Sequence, residues 1–208
     1  MSYIGETTII FSGRSFNLRV IEDIDYLLGL VKIDDDVPFW AVLWPAAIGL
    51  SEYLWENVDF TGSRVLELGA GLGLVGIVAA ARNAEVVQTD FIPDALQLAQ
   101  ENANCNGIDN ITHVLADWRS FTIDDKFEWI IGSDILYEPK LHPYLKKIFI
   151  DNLLAGGTIV LADPGRDDAK VFIDEMRFGG YRVRTESKSV FEAGRKVQVT
   201  LYFLSKTS

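Results

Sequence analysis

The densest chemistry in this chain lies in one short run, Val65-Leu66-Glu67-Leu68-Gly69-Ala70-Gly71-Leu72-Gly73-Leu74-Val75-Gly76. Gly69, Gly71 and Gly73 stand at alternate positions between an apolar strand-like segment and an apolar helical one. A Cβ there would hinder both the turn and the close approach of a ligand to the backbone, and a helix N-terminus offers N–H groups to polar ligand atoms. The loop is therefore a ligand cradle. It can be read in two registers. Gly71 to Gly76 spells G-x-G-x-x-G, and Asp90 lies at the distance of a dinucleotide's ribose acid. In that fingerprint, however, the first glycine follows the strand directly. Gly69 does so here, which puts Leu74 where the third glycine belongs. The strand-anchored pattern is E-x-G-x-G-x-G, in which Glu67 brings a carboxylate that a pyrophosphate would not favour and that a cationic ligand would.

Three further groups end strand-like runs, and ligands of open α/β sheets bind outside the carboxyl ends of the strands. Asp90 can accept both hydroxyls of a ribose, and Phe91 can line a slot for the base. Asp117 can accept from an exocyclic amine while Trp118 supplies an aromatic wall. Ser133-Asp134-Ile135-Leu136-Tyr137 follows the fourth run and puts Asp134 and Tyr137 beside the reacting end of the ligand.

The elements that position these residues follow from periodicity. Apolar runs at Arg64–Leu68, Glu85–Thr89, Ile111–Leu115, Trp129–Ser133 and Thr158–Ala162 alternate with helical patterns at Leu74–Arg82, Pro93–Asn106 and Leu141–Leu153. Strands that are almost continuously apolar fit a parallel sheet covered on both faces. A short helix, Asp168–Phe178, precedes two long strands, Tyr181–Val190 and Lys196–Leu204, whose connection is too short for a parallel crossover. They must pair antiparallel. Upstream, Thr7 to Val20 reads as a hairpin turning at Ser12-Gly13-Arg14-Ser15, and the acidic residues 22–37 as a short helix and loop. Pro38 to Pro45 is expected to open an amphipathic helix running to about Asn57, with Ala47, Leu50, Tyr53 and Leu54 on its buried face. The expected fold is α/β: a Rossmann-like sheet, mostly parallel with an antiparallel last strand, plus a small N-terminal hairpin. One domain is expected over residues 1–208, with the hairpin and acidic extension in 1–37 and the ligand-binding core in 38–208.

Composition narrows the partners. A formal charge of −11 repels a phosphate backbone and suits a basic partner. Nucleic acid is disfavoured. One cysteine and two well-separated histidines provide neither a disulfide nor a metal-ligand spacing, so no metal is expected and a reducing cytoplasm is the natural compartment. No apolar run is long enough to span a bilayer, and no secretory profile opens the chain. Nothing calls for more than a monomer.

The motifs V-L-E-L-G-A-G-L-G-L-V-G-I, Q-T-D, A-D-W and S-D-I-L-Y-E together resemble those of the seven-β-strand methyltransferases of the protein-lysine type. Pro38-Phe39-Trp40-Ala41-Val42-Leu43-Trp44-Pro45 and Asp163-Pro164-Gly165-Arg166 are similar to segments of the electron-transfer-flavoprotein β-subunit lysine methyltransferases. The glycine loop itself looks more like that of the chaperone-lysine group. The resemblance runs from about Pro38 to Ser205. It implies S-adenosylmethionine (SAM) as cofactor, with Gly69, Ala70 and Gly71 along its methionine part, Asp90 at the ribose, Asp117 and Trp118 at the adenine, Ser133 near the sulfonium and Trp44 as a lid. It implies transfer to a lysine of a protein substrate, Asp134 receiving the amine and Tyr137 packing on its stem or facing the cation. Arg166 is free, on this reading, to meet an acidic group of the substrate. Methylation of a small molecule, an inactive SAM-binding module and an NAD-linked oxidoreductase are the competing readings.

Overall fold

The computed structural model describes residues 4–21, 38–192 and 194–206, so the helix and loop expected in residues 22–37 lie outside the described residues. Strands β1 (Ile4–Phe11) and β2 (Arg14–Ile21) form the hairpin. Its two-residue turn, Ser12-Gly13, has positive φ at both positions, the twist that suits a tight antiparallel connection.

The main sheet contains β3 (Arg64–Leu68), β4 (Glu85–Asp90), β5 (Ile111–Leu115), β6 (Phe127–Ser133), β7 (Leu153–Asp163), β8 (Tyr181–Glu192) and β9 (Arg195–Lys206), in the spatial order β5-β4-β3-β6-β7-β9-β8. Strands β3 to β7 pair in parallel, and β9 runs antiparallel between β7 and β8. The reversed last strand is thus inserted one place in from the sheet edge.

Helices α1 (Pro45–Asn57), α2 (Leu74–Ala81), α3 (Pro93–Cys105), α4 (His142–Asn152) and α5 (Asp167–Phe178) cover the two faces. Strand alternation sorts the core. Val65 faces α1, α2 and the hairpin, in a cluster that includes Phe16, Leu50 and Ile77. Leu66 and Leu68 face the other way, onto Phe149 and Phe172 of α4 and α5.

The first α-helix starts later than the sequence pattern suggests. Phe39–Ala41 forms a single 3-10 turn, and the α-helix begins only at Pro45, with Trp44 extended as its N-cap. Proline favours the first helical position and pushes the residue before it out of the helical region. Of the expected buried face, Leu50 and Leu54 are fully buried, whereas Ala47 and Tyr53 are only partly so.

The hairpin is fastened to the core by two asparagines one helical turn apart, Asn102 of α3 and Asn106 just past its end. Asn102 Oδ1 accepts from Arg19 N (2.7 Å) and Asn106 Oδ1 from Asn17 N (2.9 Å), while Asn106 Nδ2 donates to Asn17 O (2.7 Å). Side-chain amides here take the place of a neighbouring strand along β2. Asn102 Nδ2 also donates to Leu72 O at 3.0 Å, tying the same hairpin to the glycine loop.

Candidate functional site

Strand β3 ends at Leu68, and the chain turns through Gly69, Gly71 and Gly73, all with positive φ, before α2 begins at Leu74. Gly71 has a second reason to lack a side chain, since a Cβ would lie 2.9 Å from Trp40 O in the 3-10 turn. The loop is held at Ala70 N, which donates to Thr89 O at 2.9 Å. Gly73 at the N-cap of α2 has no side chain to accept from the first N–H groups of that helix, and Glu67 accepts from the third, Gly76 N.

Asp90 closes the neighbouring strand at the same edge. It is 6% exposed, and its two carboxylate oxygens accept from Gly71 N and Ile92 N, both at 3.0 Å. Burial pushes its pKa up, against the pull of these backbone donors. Each oxygen accepts one of these backbone N–H groups, so lone pairs remain for a diol. Phe91 beside it is well exposed. Trp118 is half-buried, its ring edge 3.3 Å from where a Gly69 Cβ would stand, so it walls the loop on the side of β5. Asp117 is engaged within the chain as well. Both of its oxygens hold the Arg119 guanidinium, and Oδ1 also accepts from Arg119 N, capping the turn Trp118–Ser120. These bonds hold its pKa below the usual carboxylate range.

Glu67 corrects a sequence expectation. Its carboxyl does not turn to the ligand side of the loop: alternation along β3 sends it with Val65 towards α2, where it is 2% exposed. Oε2 accepts from Gln88 Nε2 at 2.6 Å and from Gly76 N at 3.1 Å. A Cβ on Gly76 would overlap both side chains, so the third glycine of the dinucleotide-like pattern serves this buried contact. Burial pushes Glu67 up to about 8, so at neutral pH it is mostly uncharged. It supports the loop from beneath.

At the end of β6, Ser133 pairs with Ala162 of β7, and the chain then turns sharply. Asp134 has φ +60°, a left-handed conformation that few residues other than glycine, asparagine and aspartate adopt readily, fixed by Asp134 N donating to Ala162 O at 2.8 Å. Ile135 follows, its Cγ2 2.9 Å from the position of a Gly69 Cβ. The D-I-L-Y segment therefore packs directly against the glycine loop. Tyr137 is mostly exposed, and burial of its hydroxyl, with Glu138, Asp90 and Asp134 nearby, raises its pKa. His142, unremarked in the sequence, fixes the far end of this segment through Nε2 and Leu136 O at 3.0 Å.

Arg166 is also turned from its expected direction. Its guanidinium points inward and pairs with both the Asp134 and Asp163 carboxylates, the latter at 3.0 Å. Asp163 is fully buried, with Oδ1 accepting from Gly165 N (2.6 Å) and Arg166 N (2.7 Å). Trp44 is half-buried, its Nε1 donating to Phe39 O at 3.0 Å and its ring packed on Phe39. It thus braces the 3-10 turn that abuts Gly71. A groove of about 490 Å³ opens at the opposite edge of the sheet, between Tyr53, Trp129 and Arg184, and shares no residue with this constellation.

Comparison with known proteins decides between the nucleotide-binding readings. A family model described as lysine methyltransferase matches residues 35–177. The chain belongs to this lysine methyltransferase family. Mouse EEF1A lysine methyltransferase 3 is 34% identical over 131 residues, 61% of this chain and 56% of that protein. Mouse electron transfer flavoprotein beta subunit lysine methyltransferase is 30% identical over 161 residues, 74% of this chain and 58% of that protein. Histone-arginine methyltransferase METTL23 of Xenopus laevis is 34% identical over 105 residues, 47% of this chain and 45% of that protein. The chain spans about half the length of these relatives. Among solved structures, the 16S rRNA N2 G1207 methyltransferase of Thermus thermophilus, in complex with AdoMet and guanosine, superposes with a TM-score of 0.69. It covers 100% of this chain and 52% of that one at 18% identity, a likeness of fold.

Family and fold imply SAM, and the residues present fit it. The glycine turn lets a ligand approach the backbone closely, Asp90 offers a buried carboxylate with acceptor capacity to spare, and Phe91 and Trp118 offer aromatic surface. Ser133 and Asp134 lie at the next strand end.

Proposed function

We propose that this chain is a SAM-dependent protein-lysine N-methyltransferase whose substrate enters beside Asp134 and Tyr137. The observation that carries the reading is the packing of the D-I-L-Y segment on the glycine loop through Ile135 and Gly69, within the span matched by the lysine methyltransferase family. That contact sets the group for a nucleophile and the group for a cofactor on one sheet edge.

Bound there, the cofactor supplies an electrophilic methyl group on a sulfonium. The protein's part is to hold and align. Gly69, Ala70, Gly71 and Gly73 shape the cradle; Asp90 takes the ribose hydroxyls; Phe91, Trp118 and Asp117 border the base; Ser133 lines the reacting end; Trp44 braces the covering turn. Asp117, though engaged by Arg119, retains lone pairs for an amine. A lysine with a reference pKa near 10.4 needs roughly 4.6 kcal/mol to expose its lone pair at pH 7. Asp134 receives the ammonium and orients it, and Tyr137 offers a ring face to its alkyl stem. Loss of the proton to water then leaves the amine aligned for in-line displacement, where position counts for more than acid–base power.

The net negative charge and the acidic groups around the mouth favour a basic protein substrate over nucleic acid. The family's lysine description favours lysine over arginine or a small molecule, and the intact D-I-L-Y geometry favours an active enzyme. No helix among the described residues is long and apolar enough to cross a membrane, and the one cysteine, Cys105, is exposed and free. A cytoplasmic monomer with one catalytic core behind the hairpin suits these features.

The test is calorimetry with SAM and with NAD on the purified chain, followed by transfer of labelled methyl groups into protein of a cell lysate, with amino-acid analysis of the product. Heat with SAM alone and label in methyl-lysine are expected. Label confined to small molecules or to methyl-arginine would refute the lysine assignment.

A further inference from the structure

The ion pair between Arg166 and Asp134 is not accounted for by cofactor binding, and it sits where the substrate ammonium is received. This inference rests on that reading of Asp134. Two carboxylates, Asp134 and Asp163, converge on one guanidinium at the ends of β6 and β7. Side-chain exposure is 11% for Asp134 and 0% for Asp163, against 37% for Arg166. The cation therefore enters from the solvent side and closes over two buried acids.

We propose that Arg166 is a positioning residue: it keeps the Asp134 carboxylate charged and aimed at the mouth, and the triad's remaining negative charge selects one incoming cationic side chain.

The electrostatics follow from the groups around Asp134. Two acids in a low-dielectric site repel, and without a cation one of them takes up a proton. Asp163 is pinned by the N–H groups of Gly165 and Arg166, which donate to its Oδ1. Asp134 has no such backbone cradle among its described bonds. Burial and the Asp163 charge raise its pKa, and Arg166 is the group that pulls it down. Facing the pair are the Tyr137 hydroxyl and, further along the edge, Asp90 and Glu138, none of which supplies a positive charge. Lys170 and Tyr202 face Asp163 from α5 and β9, but Lys170 is engaged at the surface with Asp167. Arg166 is thus the cation that decides the state of Asp134. The same Nη1 is shared by Asp134 Oδ1 and Asp163 Oδ2, so the one cation ties the two carboxylates together across the ends of β6 and β7. With Arg166 in place, two acids and one base leave a single negative charge. A neutral substrate leaves that charge buried and unbalanced, whereas an ammonium neutralises it.

The prediction is read from ¹³C-carboxylate NMR titrations of the ligand-free protein, with Asp134→Asn used to assign the resonance. In wild type the Asp134 midpoint should lie in the acid range. Arg166→Gln should raise it by at least one pH unit, and Arg166→Lys, which restores a charge, should return it most of the way. SAM affinity by calorimetry should stay within a few-fold of wild type in both variants. An unchanged midpoint in the glutamine variant overturns the proposal, as does parallel loss of SAM binding, which would make Arg166 a cofactor ligand. If the glutamine variant does not fold, Arg166→Met takes its place: a raised midpoint there supports the proposal, and a wild-type midpoint together with a lower Tm marks a purely structural role and overturns it. The two readings fail separately. The titration uses no cofactor, so absence of SAM binding to wild type would sink methyl transfer while leaving the ion-pair result as measured.

Discussion

The carboxyl of Glu67 accepts a hydrogen bond from the backbone N–H of Gly76, 3.1 Å away beneath the glycine loop and out of reach of solvent. Burial holds this group near 8 in the folded chain against an ordinary value of 4.5. A carboxyl whose pKa is raised on folding binds a proton more tightly in the native state. Its stabilisation is fully present below about 4.5 and is lost as pH rises through 8, at up to about 1.4 kcal/mol per pH unit. Glu67→Gln removes this dependence while keeping an amide of the same shape. Thermal melts of the two proteins at pH 5, 7 and 9 should show the variant gaining on wild type as pH rises. An offset that is constant across the three values would mean that Glu67 does not titrate in this range.

Asp90 joins cofactor binding to loop geometry, because the oxygens proposed for the ribose already hold Gly71 N and Ile92 N. Asp90→Ala should weaken SAM binding by about 1.5–3 kcal/mol, the range for hydrogen bonds to a charged group. It should also lower the Tm of the ligand-free protein, since both N–H groups lose their acceptor. Calorimetry on a folded variant with undiminished affinity would remove Asp90 from the site.

Asn102 carries the hairpin's link to the same loop. Fully buried, it bonds Arg19 N, Arg19 O and Leu72 O with one amide. Alanine there orphans buried backbone groups, at roughly 1–3 kcal/mol each. Amide hydrogen exchange should show lost protection at Arg19, and SAM affinity should fall as Leu72 is released. Faster exchange at Arg19 with unaltered affinity would confine Asn102 to holding the hairpin.

Most strands and helices were legible from periodicity, because each strand of a doubly covered parallel sheet is an apolar run and α1, α2 and α3 start at Pro45, just after Gly73 and at Pro93. The cradle and the strand-end acids were legible too, since ligand position in such sheets follows from topology. Side-chain direction was harder. Glu67 reads as a loop acid until alternation is followed through Val65, and its partner Gln88 lies 21 residues on, made adjacent only by strand register. The start of α1 was misplaced because the aromatic run before Pro45 imitates a helix, although Pro45 itself carried the signal for the boundary. Asn102 left a fainter trace: asparagine is a poor helix former, and Asn102 and Asn106 stand one turn apart within α3 and just past its end. Nothing local marked the inward turn of Arg166, whose partner Asp134 lies 32 residues earlier in the chain, at a left-handed backbone position.

That backbone sharpens the prediction for Asp134 itself. The carboxylate sits at the ligand edge, one residue before Ile135 meets Gly69, and touches no residue of the cradle in its own hydrogen bonds. If it holds the substrate amine, Asp134→Ala should leave SAM affinity within a few-fold of wild type, because the lost contact is to the other reactant. Turnover should fall by at least 10²-fold, about 2.7 kcal/mol of transition-state stabilisation. Alanine also tolerates φ +60° poorly, at roughly 1–2 kcal/mol, so a drop in Tm is expected with it. Asp134→Asn separates the two effects. Asparagine accepts the left-handed conformation and can still orient an amine, but it carries no charge, so it should restore the Tm and recover only part of the rate. SAM titration and single-turnover methyl transfer on the same preparations give both numbers. Parallel loss of SAM binding and activity in the asparagine variant, with a normal Tm, would make Asp134 a cofactor ligand and overturn its role towards the substrate.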